Sequence, residues 1–181
     1  MQIKKLSTIH YPLFMAIALL LTACGYKPSS QLIKNIFTES VYVEVIVDRV
    51  EPENATFVKD EINRLIYTRF KGRVVPKAQA KSHIRAQYAG STFIPLTFEG
   101  GYVTRYRANI RVYFDMITKK GKASKYISTN FESDIQASSF YSSTLRTEAI
   151  RRGLEKALDE FLAYVSASGA AVSAKEANEK H

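Results

Sequence analysis

The spacing of apolar positions changes several times along the chain, and each change marks an element. From residue 40, Val41, Val43, Val45 and Val47 fall on one face, with Tyr42, Glu44, Ile46 and Asp48 on the other. A period of two carried by β-branched residues predicts a strand. Pro52 suits a first helical turn, where a missing N–H leaves nothing unsatisfied. Beyond it Val58, Ile62, Leu65, Ile66 and Phe70 recur at three- and four-residue spacing, predicting an amphipathic helix that Gly72 stops.

Three strand-like segments follow. The first, about His83 to Phe98, is irregular at Gly90 and Pro95, and Gly100-Gly101 marks a turn. The second, Tyr102 to Thr118, is the most regular segment in the chain. Tyr106, Ala108, Ile110, Val112, Phe114 and Met116 face one way, while Arg105, Arg107, Asn109 and Arg111 face the other. Lys119 to Lys122 reads as a hairpin turn, and Ala123 to Asp134 as the returning strand. Ser142 and Ser143 are suited to cap a last helix, with apolar positions from Leu145 and Ala149 through Leu154, Leu158 and Phe161 to Val165. The order β-α-β-β-β-α, with one apolar face per element, predicts an α+β fold. Its economical form is a two-layer sandwich with both helices on one face of a four-stranded, mostly antiparallel sheet. The first strand, followed by a helix, is free to pair in parallel.

The N-terminus is of another kind. Lys4 and Lys5 precede an unbroken apolar run, Leu13 to Leu21. That run is too short for a membrane-spanning helix, which needs roughly 20 residues, but it fits the core of an export signal. Leu21-Thr22-Ala23-Cys24 then resembles a bacterial lipobox, in which the cysteine sulfur takes a diacylglyceryl group and the cysteine becomes the new N-terminus. The expected divisions are a signal peptide over 1–23, an acylated N-terminus and tether over 24–39, a domain over 40–166, and a disordered tail over 167–181. Pro28, Ser29 and Ser30 oppose regular structure in the tether. Cys24 is the lipidation site, and acyl chains there hold the protein to a membrane. Gly25, in place of an aspartate, resembles the outer-membrane class of enteric lipoprotein sorting.

Charge and composition narrow the chemistry. The chain carries a formal charge of +9, of which +7 remains once Lys4 and Lys5 are removed. An exported basic domain meets anionic lipids or acidic protein surfaces rather than nucleic acid. Cys24 is the single cysteine, so no internal disulfide is available. Beyond the signal, His83 and His181 are far apart in sequence, which gives no metal-site spacing, and no nucleophile elbow or phosphate loop is present. No catalytic residue, cofactor site or enzymatic activity is indicated. The feature that remains is the arginine face, Arg105, Arg107 and Arg111, with Arg85 on the preceding strand. Arginine's planar fork suits phosphate, although a solvated strand face kept charged against aggregation has the same pattern.

Cys24-Gly25-Tyr26-Lys27 followed by this element order, with the hairpin from Thr97 to Val112, resembles the lipopolysaccharide-assembly lipoprotein family LptE. The resemblance covers residues 24–166. It implies a non-enzymatic partner of the outer-membrane barrel LptD, seated in the barrel as a plug and binding lipopolysaccharide on its way to the cell surface. Family members can carry a basic residue in the central hairpin turn and another before the last helix. Here the turn is Phe98-Glu99-Gly100-Gly101, and Asp134 to Thr144 holds no Lys or Arg. Lipopolysaccharide contacts are therefore expected at Arg85, Arg105, Arg107 and Arg111. Two other roles suit an outer-membrane lipoprotein of this size: the accessory subunit of a phospholipid ABC transporter, and a peptidoglycan-associated anchor.

Overall fold

The computed structural model describes residues 29–46, 52–134 and 142–179; Cys24 and the signal segment lie outside them. The elements are α1 (Ser29–Lys34), β1 (Ser40–Ile46), α2 (Pro52–Leu65), β2 (Arg73–Val74), β3 (Ser82–Glu99), β4 (Tyr102–Thr118), β5 (Gly121–Asp134) and α3 (Ser142–Asn178). One mixed sheet has the order β2-β1-β3-β4-β5. The strand β1 pairs in parallel with both β2 and β3, while β3, β4 and β5 form an antiparallel meander.

The alternation places the core as the sequence predicts. Val41, Val43, Ile84, Ala86, Ala108, Ile110, Val112, Phe114 and Met116 are all buried on one sheet face. Val58, Ile62, Leu65, Ile66 and Phe70 of α2 and the turn after it, with Leu154, Leu158, Phe161 and Val165 of α3, close over that face. Phe114 stacks on Phe161 with ring centres 4.2 Å apart. The other sheet face carries no described helix.

Three details differ from expectation. The sheet has five strands and the described residues three α-helices, where the sequence suggested four and two. The extra strand β2 is two residues long, too short for any period to register. The extra helix α1 falls in the expected tether. Ile33 and Phe37 are nevertheless buried, and Phe37 stacks on Phe70 at 5.4 Å. Six residues of helix that begin at Ser29, inside the Pro-Ser-Ser run, give too little periodicity to see, and packing rather than propensity holds them.

The third difference is the C-terminus. Helix α3 continues to Asn178, through residues expected to be disordered from 167 on. The small side chains there form a packing seam. A Cβ on Gly169 would lie 2.0 Å from the Leu32 carbonyl oxygen, so only glycine lets the α1 backbone cross at this point. The Asn35 side-chain amide donates to the Gly169 carbonyl (3.2 Å) and to the Ser173 hydroxyl (2.7 Å), locking the crossing.

Irregularity at Gly90 has a definite consequence. The β3–β4 register skips from Tyr88 opposite Val112 to Ser91 opposite Ile110, and Gly90 has φ +97°. This bulge reverses the parity of the strand. Even-numbered residues face the core before it, whereas afterwards Phe93 packs on the core and Ile94 is exposed. The last β1 partner on β3 is Gln87, so the rest of β3 is a sheet edge among the described residues. Pro95, lacking an N–H, suits that edge.

Candidate functional site

The helix-free face of the sheet carries all four candidate arginines, but they do not form one group. Arg107 stands opposite Glu132 of β5, and Arg105 opposite Asp134. Arg107 donates from Nε (2.9 Å) and Nη2 (2.7 Å) to one Glu132 oxygen, and Arg105 reaches the other oxygen at 3.1 Å. Arg105 Nε also lies 3.7 Å from Asp134. The Arg107 hydrogen bond is the main reason that the Glu132 carboxyl is held below its ordinary range, with the charges of Arg107 and Arg105 adding to it. The sequence showed arginines without an acid among them because it does not show strand register. The acids come from the neighbouring strand.

Arg111 is different. It sits beside the Gly90 bulge, where a Cβ added to Gly90 would lie 3.9 Å from its Nη2, and its register partner on β5 is Ser128. Its Nε is enclosed and has no hydrogen-bond partner. An enclosed guanidinium donor without an acceptor is unfavourable, and an anion is the group that satisfies it best. Arg85 is set apart, opposite Asp115, four residues along β4 or roughly 13 Å from the Arg111 level. Tyr113 and Tyr126, in ring contact at 4.7 Å, lie between. Among the described residues neither Arg85 nor Arg111 forms an ion pair with a carboxylate.

The second feature of the site was not anticipated. Ile94, Phe98 and Tyr102, at and beside the β3–β4 turn, are 45%, 60% and 79% exposed. The last buried residue on β4 toward the turn is Tyr106, whose hydroxyl donates to the Leu145 carbonyl at the start of α3 (3.1 Å). Burial pushes the phenol pKa up, which keeps it the neutral donor this bond needs. Beyond Tyr106 the hairpin outruns α3. The available signal was the run of apolar residues at even positions, Ile94, Leu96, Phe98 and Tyr102, beyond the irregularity at Gly90.

Among the described residues no group of three His, Cys, Asp or Glu side chains could hold a metal ion. No described helix is long and apolar enough to cross a membrane. The arrangement offers recognition chemistry: cationic donors on a strand face and an apolar hairpin end.

No curated protein matches the chain. Among solved structures, a minor lipoprotein from Acinetobacter baumannii is 10% identical, with 71% of this chain and 91% of that one covered at a TM-score of 0.50. A protein from Xanthomonas campestris is 12% identical, covering 74% and 86%, also at 0.50. An uncharacterized lipoprotein B from Nitrosomonas europaea is 16% identical, covering 71% and 85%, at 0.49. At such identities the first two establish a shared fold only. The family described as lipopolysaccharide-assembly matches residues 38–165, which takes in the whole sheet, α2 and the core-packing part of α3. The chain belongs to the lipopolysaccharide-assembly family LptE.

Proposed function

We propose that the protein is a non-enzymatic outer-membrane lipoprotein, acylated at Cys24, that plugs and assists assembly of an LptD-type β-barrel and binds lipopolysaccharide in transit. The family match over residues 38–165 is the observation that carries this reading. A large barrel encloses a polar lumen, and a plug for it needs a polar outer surface around its own core. The sheet fits, with its apolar side spent on the helices and Arg, Asn, Ser and Glu side chains on the other, beside exposed Tyr113, Ile117 and Tyr126.

Within that reading the arginines divide the work unequally. Glu132 already occupies Arg105 and Arg107, so a lipid phosphate would have to compete with it there. Arg111 Nε has no such competitor. Arg111→Glu is therefore expected to weaken lipopolysaccharide binding more than Arg105→Glu with Arg107→Glu, and the loss should be greater at low salt. Barrel capture, spread over a wide interface, should change little. A lipopolysaccharide-binding assay run beside a pull-down of the barrel tests both. Unchanged lipopolysaccharide binding in both variants would leave the arginine face as a solvated surface. A wild type that captures no barrel would contradict the plug role.

A further inference from the structure

The two ends of the β3–β4 hairpin differ sharply in charge. Ile94 to Thr104, around the β3–β4 turn, contains no Lys or Arg. At the opposite end, "KGRVVPKAQAK" (residues 71–81) carries four cationic residues and no acid, and "TKKGK" (residues 118–122) carries three and no acid. The fold brings these two segments together. Both are bonded to the short connection between α1 and β1: Arg73 N–H donates to the Glu39 carbonyl (2.6 Å), and Lys119 N–H to the Ile36 carbonyl (2.9 Å). Lys81 N–H meets the Ser40 hydroxyl at 3.4 Å. Lys77 and Lys122 line one hollow with His83 and Arg85, which Glu44 and Asp115 also border.

Three carboxylates at this end are committed to other cations, while Asp115 accepts from Ser124 (2.7 Å) and Glu44 borders the hollow. Glu39 pairs with Lys34 at 3.7 Å, Glu176 with Lys120 at 3.4 Å and Glu179 with Lys175 at 3.9 Å. Among the described residues Arg73, Lys81 and Lys122 are exposed, and their side chains have no ion-pair partner.

The helix that precedes β1 on the side of the anchor, α1, ends at this cationic end. Helix α1 is fixed there by the Gly169 crossing and by the Lys119 ammonium, which donates to the Lys34 carbonyl. Ser29, its first residue, follows Cys24 by five positions, at most ~17 Å when fully extended. An acyl chain on Cys24 would thus hold this end of the domain close to lipid headgroups, within reach of attraction that falls off over ~10 Å.

We propose that the cationic end formed by residues 71–81 and 118–122 docks on the anionic phospholipid headgroups of the leaflet that holds Cys24. Docking sets the free lipoprotein upright, with the β3–β4 turn aimed away from the bilayer by roughly the 17-residue length of β4, or ~55 Å. The lipoprotein then presents its exposed Phe98 and Tyr102 to a partner before assembly instead of lying flat. The proposal rests on acylation of Cys24, and it is separate from the arginine face.

The test uses the chain from residue 24 to 181 with Cys24→Ala, so that charge alone governs binding. Flotation with vesicles of equal parts phosphatidylcholine and phosphatidylglycerol is compared with phosphatidylcholine alone. Binding is expected only with phosphatidylglycerol, and salt should release it. Arg73→Glu, Lys81→Glu and Lys122→Glu together should lower affinity at least roughly a hundredfold. Glutamine at the same positions should act in the same direction, more weakly, and guards against misfolding of the triple reversal. A control with Lys59→Glu, Arg151→Glu and Lys156→Glu has the same net charge and should keep most of the binding. Equal loss in the control, or no phosphatidylglycerol preference in the parent chain, overturns the proposal. Barrel capture by the Arg73/Lys81/Lys122 variant should match wild type. Vesicle binding left intact in that variant overturns the proposal, whereas a wild type that captures no barrel counts against the plug reading alone.

Discussion

The two halves of the β3–β4 hairpin have similar apolar content and opposite fates. In the half near β1, Ile84, Ala86, Phe114 and Met116 are buried under α1–α3. In the half near the turn, Ile94, Phe98 and Tyr102 stand exposed. The Gly90 bulge accounts for Ile94, which it turns to the outer face. The rest of the difference is cover, which ends where Tyr106 bonds to Leu145 at the start of α3. The covered half stabilises the domain, and the uncovered half is left to meet something else.

The sharpest way to break this comparison is to place an acid in each half. Ile110→Asp buries a carboxylate without a partner and should cost upwards of ~3 kcal/mol, enough to unfold much of the population. Phe98→Asp should stay within ~0.5 kcal/mol, since the ring is already in solvent. Thermal and urea melts of the two variants decide it. Comparable losses would mean that the hairpin end is packed in solution.

A smaller effect is expected where α3 crosses the sheet. A Cβ on Gly153 would come within 2.2 Å of Ile110 Cγ1, while the Gly153 carbonyl accepts from buried Thr129 (2.8 Å). Gly153→Ala should therefore destabilise by about 1–3 kcal/mol through overpacking, measured as a shift in urea midpoint at constant slope. Gly169→Ala should act more locally. It should lift α1 and speed amide exchange at Ile33 and Phe37, leaving the protection of Ile110 close to wild type.

Smallest is the pH effect at Glu132. Its carboxyl is depressed in the folded state, chiefly by the Arg107 hydrogen bond. The contribution to stability is therefore present above the unfolded carboxylate pKa and is lost as pH falls through the folded one. Carboxyl NMR titration should show Glu132 below the ordinary glutamate range, returning upward in Arg107→Gln. No change in Arg107→Gln would show that the pair does not persist in solution.

The parts readable from sequence were those with a long, regular period. The even positions from Tyr106 to Met116 and the α3 positions through Val165 pack as their spacing indicates. Features that depend on what lies across a gap were not readable. Glu132 could not be matched to Arg107 without strand register, and the role of Gly169 depends on the α1 backbone crossing it from 137 residues earlier in sequence, at Leu32. Gly90 was visible as an irregularity, but its reversal of strand parity was not. Cover over the hairpin depends on where α3 begins in space, which no local pattern encodes.

Site-specific photocrosslinking in cells tests the plug role most directly. A photoreactive residue placed at Phe98 or Tyr102 should form an adduct with a large outer-membrane β-barrel, whereas one at buried Ile84 should form none. Adducts at Phe98 and Tyr102 with inner-membrane transporter subunits instead, or with peptidoglycan alone, would contradict it.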